Sequence, residues 1–144
     1  MPNHLQVTLE IITHATENEK LILQSIHEFF NIQEVEFSKQ NLFGHFKNPI
    51  LLSKVKLVKK NARDFVHKLV ENIPKYQIEQ LLNDIESHID GSALFLRIGK
   101  QDILRKSITL QEKDVIRIKI STLVYRKNDV AKTYVNLLSP PASN

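Results

Sequence analysis

The sequence predicts an α+β fold, a single antiparallel or mixed sheet with helices on one face and the other face left open and basic. Three observations predict it. Several short stretches alternate apolar and polar residues with period two, the pattern of strands that bury one side. Stretches with apolar residues at helical spacing lie between them. The polar positions of the strands carry Lys and Arg, so a sheet that buries its Leu, Ile and Val side turns those cations to solvent.

Leu5, Val7, Leu9 and Ile11 alternate with Gln6, Thr8 and Glu10, which reads as a half-buried strand. Thr16 to Glu19 has capping-box spacing, and a helix is expected through Phe30 with Ile22, Ile26, Phe29 and Phe30 on its buried side. Val35 to Ser38 is a short strand candidate. Asn41 to Pro49 reads as a loop, because Gly44 permits a turn and Asn48 precedes a proline. Ile50 to Val58 is a strand with Leu51, Val55 and Leu57 on one face, while Lys54, Lys56 and then Lys60 point the other way.

Asn61 and Asp64 have the spacing of a helix start, followed by the stripe Phe65, Val66, Leu69, Val70 and Ile73. Pro74 interrupts it. A second helix is expected from Lys75 to Ile89, closed by Asp90-Gly91. Ala93 to Ile98 and Val115 to Val124 are strands, the first showing Arg97 outward and the second Arg117 and Lys119. A short strand near Ser107 to Leu110 is a weaker pattern between them. Asp129 to Leu138 reads as a closing helix. Residues 1–138 are expected to form one domain and 139–144 a loose tail.

With 42% hydrophobic and 25% charged residues, a chain of this length is expected to bury one substantial core. It has no cysteine, which excludes disulfides, thiolate metal sites and a Cys nucleophile. The opening residues lack a secretory pattern, and no apolar run reaches the roughly 20 residues needed to cross a membrane. A cytoplasmic protein without membrane association is expected.

Charge is unevenly spread. Lys39 to Lys68 holds eight bases and one acid, a net +7, whereas the other 114 residues hold twelve bases and fifteen acids, a net −3. Like charges gathered on a surface destabilise the compact state and attract anions, which points to a polyanion partner. A solvated Lys-rich face would have the same composition. On the open face of the predicted sheet, Lys54, Lys56, Arg97, Arg117 and Lys119 would meet as one platform for a phosphate backbone. Only Phe95 shares their parity among aromatics, so successive bases are not expected to stack across the sheet.

The six histidines are scattered, without paired metal-ligand spacing. His45 alone falls in a candidate functional loop, as a phosphate or ribose donor or as a residue that holds the loop through a backbone contact. No Gly-rich phosphate loop, no nucleophile elbow and no two-metal acidic cluster stands out. Neither an enzyme nor a cofactor is expected.

Three segments carry a family resemblance. Gly44-His45-Phe46-Lys47-Asn48-Pro49-Ile50 resembles the Gly-His-aromatic-x-Asn-Pro-Ile loop of an archaeal RNA-binding family described as a predicted exosome subunit. Leu96-Arg97-Ile98-Gly99-Lys100-Gln101 is similar to its Leu-Arg-x-Asp-Lys-Gln segment, and Asp114 to Ile120 resembles its closing strand. The likeness spans about residues 4 to 125. It implies a fold like that of the large-ribosomal-subunit protein that contacts the smallest ribosomal RNA. It also implies RNA binding without catalysis and a link to RNA processing or degradation. Gly99 stands where that family has Asp.

The expected contacts to structured RNA are Lys54, Lys56, Arg97, Arg117 and Lys119 from the sheet. Lys47, Lys59, Lys60 and Arg63 would extend the track, with His45, Lys100 and Gln101 adding polar contacts. Arg97 and Lys100 are equally placed to pair with Asp102 or Asp114. The alternative is a protein-interaction subunit of an RNA-processing assembly that docks its basic face on an acidic partner.

Overall fold

Apolar alternation in separate stretches can be satisfied only if the strands share one buried side, and they do. The computed structural model describes residues 4–44, 48–124 and 126–139. Its elements are β1 (Gln6–His14), α1 (Glu19–Phe30), β2 (Ser38–Phe43), β3 (Pro49–Val58), α2 (Lys59–Asn72), α3 (Lys75–Asn83), β4 (Ile89–Asp90), β5 (Ala93–Gly99), α4 (Lys100–Leu104), β6 (Val115–Ser121) and α5 (Val130–Leu138). The strands form one sheet in the order β2-β3-β1-β6-β5-β4, with every neighbouring pair antiparallel. The expected α+β class, with helices on one face and the other open, is what the chain adopts.

The inward positions are those the alternation picks out. Val7, Leu9 and Ile11 of β1, Val55 and Leu57 of β3, Leu94, Leu96 and Ile98 of β5, and Ile116, Ile118 and Ile120 of β6 are all buried. The helices cover them with Ile22, Ile26 and Phe30, with Phe65, Val66 and Leu69, and with Tyr134 and Leu138. Each such side chain contributes about 1.5–3 kcal/mol by leaving water. Phe30 and Phe65 join α1 to α2, their ring centroids 4.4 Å apart and tilted by 39°.

Several boundaries differ from expectation, each for a physical reason. The cap of α1 is Asn18, whose side chain accepts from the amides of Lys20 (3.1 Å) and Leu21 (3.4 Å). The Thr16 box does not form, because the helix starts at Glu19 behind the Asn18 cap and the Glu19 carboxylate that would close the box is paired with Lys39. Residues Glu34–Glu36 make a 3-10 turn instead of a strand. β2 then runs from Ser38 to Phe43, so Asn41–Phe43 belongs to an edge strand rather than a loop. α2 begins at Lys59, straight from the end of β3 and without a side-chain cap. α3 stops at Asn83, and Gly91 (φ +64) turns the β4–β5 hairpin instead of closing a helix. Near Ser107 to Leu110 a single bridge, Ile98 to Leu110, takes the place of a strand.

Candidate functional site

The register of the four inner strands, β3, β1, β6 and β5, decides which outward side chains meet. Across the sheet, Lys54 lies opposite Glu10, Glu10 opposite Arg117, and Arg117 opposite Arg97. One rung away, Lys56 lies opposite Thr8, Thr8 opposite Lys119, and Lys119 opposite Phe95. Lys54, Lys56, Arg97, Arg117 and Lys119 are all exposed. They thus stand on two adjacent rungs that span about 14 Å across four strands. Among the described residues none of the five makes an ion pair with a carboxylate side chain within 4 Å. Between the rungs and β5 lies a depression of about 540 Å³ lined by Glu10, Lys54, Phe95, Arg97, Arg117 and Lys119.

Two details sharpen the charge. Arg97 and Arg117 face each other directly. The Arg97 carbonyl accepts from the Gln111 amide, so it turns away from β6. The Arg pair is therefore of the non-hydrogen-bonded kind, with Cα atoms about 4.5 Å apart and side chains close. Glu10, half-buried in the middle of the patch, is the acid that sequence reading passed over. Its parity on β1 signalled an outward position, but only the strand order puts it between Lys54 and Arg117. The Lys119 ammonium sits 5.9 Å from the Phe95 ring centroid.

The other expected residues divide. Lys59 and Lys60 are exposed where β3 turns into α2, and Arg63 is half-buried on that helix. α2 covers the opposite side of the sheet, so these three cations flank the open face rather than lying on it. His45 and Lys47 lie outside the described residues. Gln101 is exposed and donates to Asp114 Oδ2 at 3.0 Å.

Lys100 requires a correction. Its side chain is 2% exposed, and its ammonium is consumed by the Ile12 carbonyl (2.7 Å), Glu17 (2.9 Å) and Asp114 (3.0 Å). Of the two uses open to it in sequence, the pairing with Asp114 is the one adopted, and no donor remains for a phosphate. Burial alone would raise the Asp114 carboxyl, but the Gln101 hydrogen bond and the Lys100 ammonium outweigh it and hold the group below its ordinary value. Lys39, counted in the basic stretch, is likewise spent. Glu19 (2.5 Å) and Glu34 (2.8 Å) hold its ammonium and raise its pKa.

Gly99 also finds an explanation. A Cβ there would lie 2.5 Å from Asp102 Oδ2 and 2.9 Å from Gln111 Cγ. The Asp102 carboxylate thus occupies the space a residue-99 side chain would need, held by Thr109 Oγ1 at 2.5 Å and Gln111 Nε2 at 3.2 Å. The acid expected at 99 is replaced in space by one three residues on.

Among the described residues no group of three or more His, Cys, Asp or Glu side chains is arranged to hold a metal, and no helix is long and apolar enough to cross a membrane. On the far side of β5 a groove of about 1110 Å³ runs between α3, the β4–β5 hairpin and residues 110–113. Nothing in the strand pattern announces it, because it forms where β4 ends early.

An uncharacterized protein from Methanocaldococcus jannaschii is 29% identical over 119 residues, which cover 77% of this chain and 79% of that protein. A crystal structure of a protein from Archaeglobus fulgidus is similar to it with a TM-score of 0.80 at 26% identity, covering 92% of this chain and 97% of that one. One from Sulfolobus solfataricus gives a TM-score of 0.72 at 29% identity over 91% of this chain and 97% of that one. A family model described as RNA binding matches residues 6–122. Since that match takes in every strand of the sheet, the chain belongs to this RNA-binding family.

Proposed function

We propose that the protein binds structured RNA without catalysis, taking the phosphate backbone on the open face of its sheet. The observation that carries this reading is the Arg97–Arg117 pair within a rung that also holds Lys54. Like charges directly opposite on neighbouring strands destabilise a sheet, and a bound phosphate relieves that repulsion. Lys56 and Lys119 supply further contacts on the next rung. Lys59, Lys60 and Arg63 carry the backbone around the β3–α2 corner, Gln101 adds a polar contact, and His45 and Lys47 are proposed as further contacts from sequence alone. The face offers cations rather than a row of aromatics, which suits shape and backbone recognition. The resemblance described above supports a link of this activity to RNA processing or degradation.

The test is the affinity for a structured RNA across a salt series. Each phosphate neutralised adds about 0.9 to the slope of log K against log salt. Lys54→Glu with Lys56→Glu is expected to weaken binding at least ~10-fold and to flatten the slope by about 2. Unchanged affinity and slope would remove the mechanism. Recovery of an acidic protein instead, with RNA bound only weakly, would favour the docking alternative.

A further inference from the structure

The depression on the basic face and the larger groove beyond β5 share one rim, Phe95, Leu96 and Arg97. An RNA backbone lying on the cations is therefore one strand's width from the groove. What enters the groove is decided by its charge. Asp84, Asp90 and Glu112 line it together with Arg97 and Lys113. Its walls therefore repel a phosphate more than the sheet face does, while accepting a neutral polar group.

Hydrogen-bonding groups are at hand. The Gln80 side chain is exposed on the α3 wall. β4 ends opposite Leu94, and the 109–111 segment joins opposite Ile98. Since the Arg97 carbonyl turns outward to Gln111, alternation turns the Phe95 carbonyl and the Arg97 amide outward too. In the gap between those two partners they open into the groove. At the rim Phe95 is 41% exposed, and its ring is a flat apolar surface of the kind on which bases stack. Gln77, by contrast, is spent: its side-chain amide pairs with both backbone groups of Leu110 (2.8 and 3.1 Å) and closes one end.

We infer that this groove takes one unpaired nucleotide of the bound RNA, its base against Phe95 and its polar edge toward Gln80 and the open backbone of β5. The inference rests on the RNA reading and narrows it. The preferred ligand is a duplex that carries a single-stranded tail or a bulge, with the paired part on the cations and one base turned over the edge of β5.

Fluorescence anisotropy with a blunt RNA hairpin and the same hairpin bearing an unpaired tail tests it. The full chain is expected to prefer the tailed RNA by roughly ten-fold, the scale of one stacked base. In Phe95→Leu and in Gln80→Ala that preference falls toward one, and retained hairpin binding reports that each variant is folded. A wild-type preference near one, or a preference that survives both variants, overturns the inference while the RNA reading stands. Failure of both RNAs to bind at low salt overturns both.

Discussion

Arg97 and Arg117 meet across β5 and β6, and among the described residues no carboxylate forms an ion pair with Arg97, a placement expected to weaken the sheet. Replacing Arg97 by Thr, a good strand former, is expected to raise stability by about 0.5 kcal/mol in denaturant unfolding while lowering RNA affinity. A loss of both would mean that Arg97 is structural. Gly99 and Asp102 form a second pair that must be read together. Gly99→Ala drives Asp102 off Thr109 and is expected to cost about 1–3 kcal/mol. Gly99→Asp should be tolerated better with Asp102→Ala than alone, a coupling that a double-mutant cycle reads directly. Lys100 supplies the third case. Lys100→Met leaves Glu17 and Asp114 without their cation and is expected to destabilise by about 1–3 kcal/mol. Because the folded Asp114 pKa lies below its ordinary 3.8, its stabilising effect is present above that pH and is lost as pH falls through the folded value. Asp114→Asn should therefore flatten the acid limb of the stability profile. None of these three arrangements was legible in sequence beyond a choice of partners, since each depends on residues brought together by strand order or by a turn.

At the scale of elements, what sequence revealed follows from burial. β1, β3, β5 and β6 each bury a full side against the helices, and their alternation is plain. β2 lies at the sheet edge with most of its residues exposed, so no alternation marks it, and β4 is two residues long. Helix interiors were legible from their apolar stripes, whereas their ends were not. Thr16 and Asn18 are both good caps, and the choice falls to Asn18, which accepts from the first free amides while Glu19, the acid a Thr16 box needs, is drawn to Lys39. Asn18→Ala is expected to cost about 1 kcal/mol in thermal or denaturant unfolding, and Thr16→Ala close to nothing. At the other end of the chain, Tyr134 is buried under the sheet, and its single hydroxyl proton is shared between the carbonyls of Ser92 (2.5 Å) and Ile120 (3.0 Å). Burial pushes its pKa up to about 12. The neutral phenol therefore stabilises the fold fully below pH 10, and that contribution disappears as pH rises toward 12. Tyr134→Phe should remove this alkaline transition.

For the molecule as a whole, the charge excess counted along the chain is not the charge that matters. The basic stretch from Lys39 to Lys68 is split by folding. Lys39 is neutralised by Glu19 and Glu34, Lys59 and Lys60 turn the corner into α2, and among the described residues of the stretch Lys54 and Lys56 are the cations that reach the open face. Arg97, Arg117 and Lys119, distant in sequence, complete the patch because β1 lies between β3 and β6. Strand parity was enough to put these five on one side, and strand order then set Glu10 among them. Amide chemical shifts recorded while a structured RNA is titrated into the protein test this most directly. The largest changes are expected at Lys54, Lys56, Arg97, Arg117 and Lys119, fading as salt is added. Changes concentrated on the helical side, with those five positions still, would contradict this.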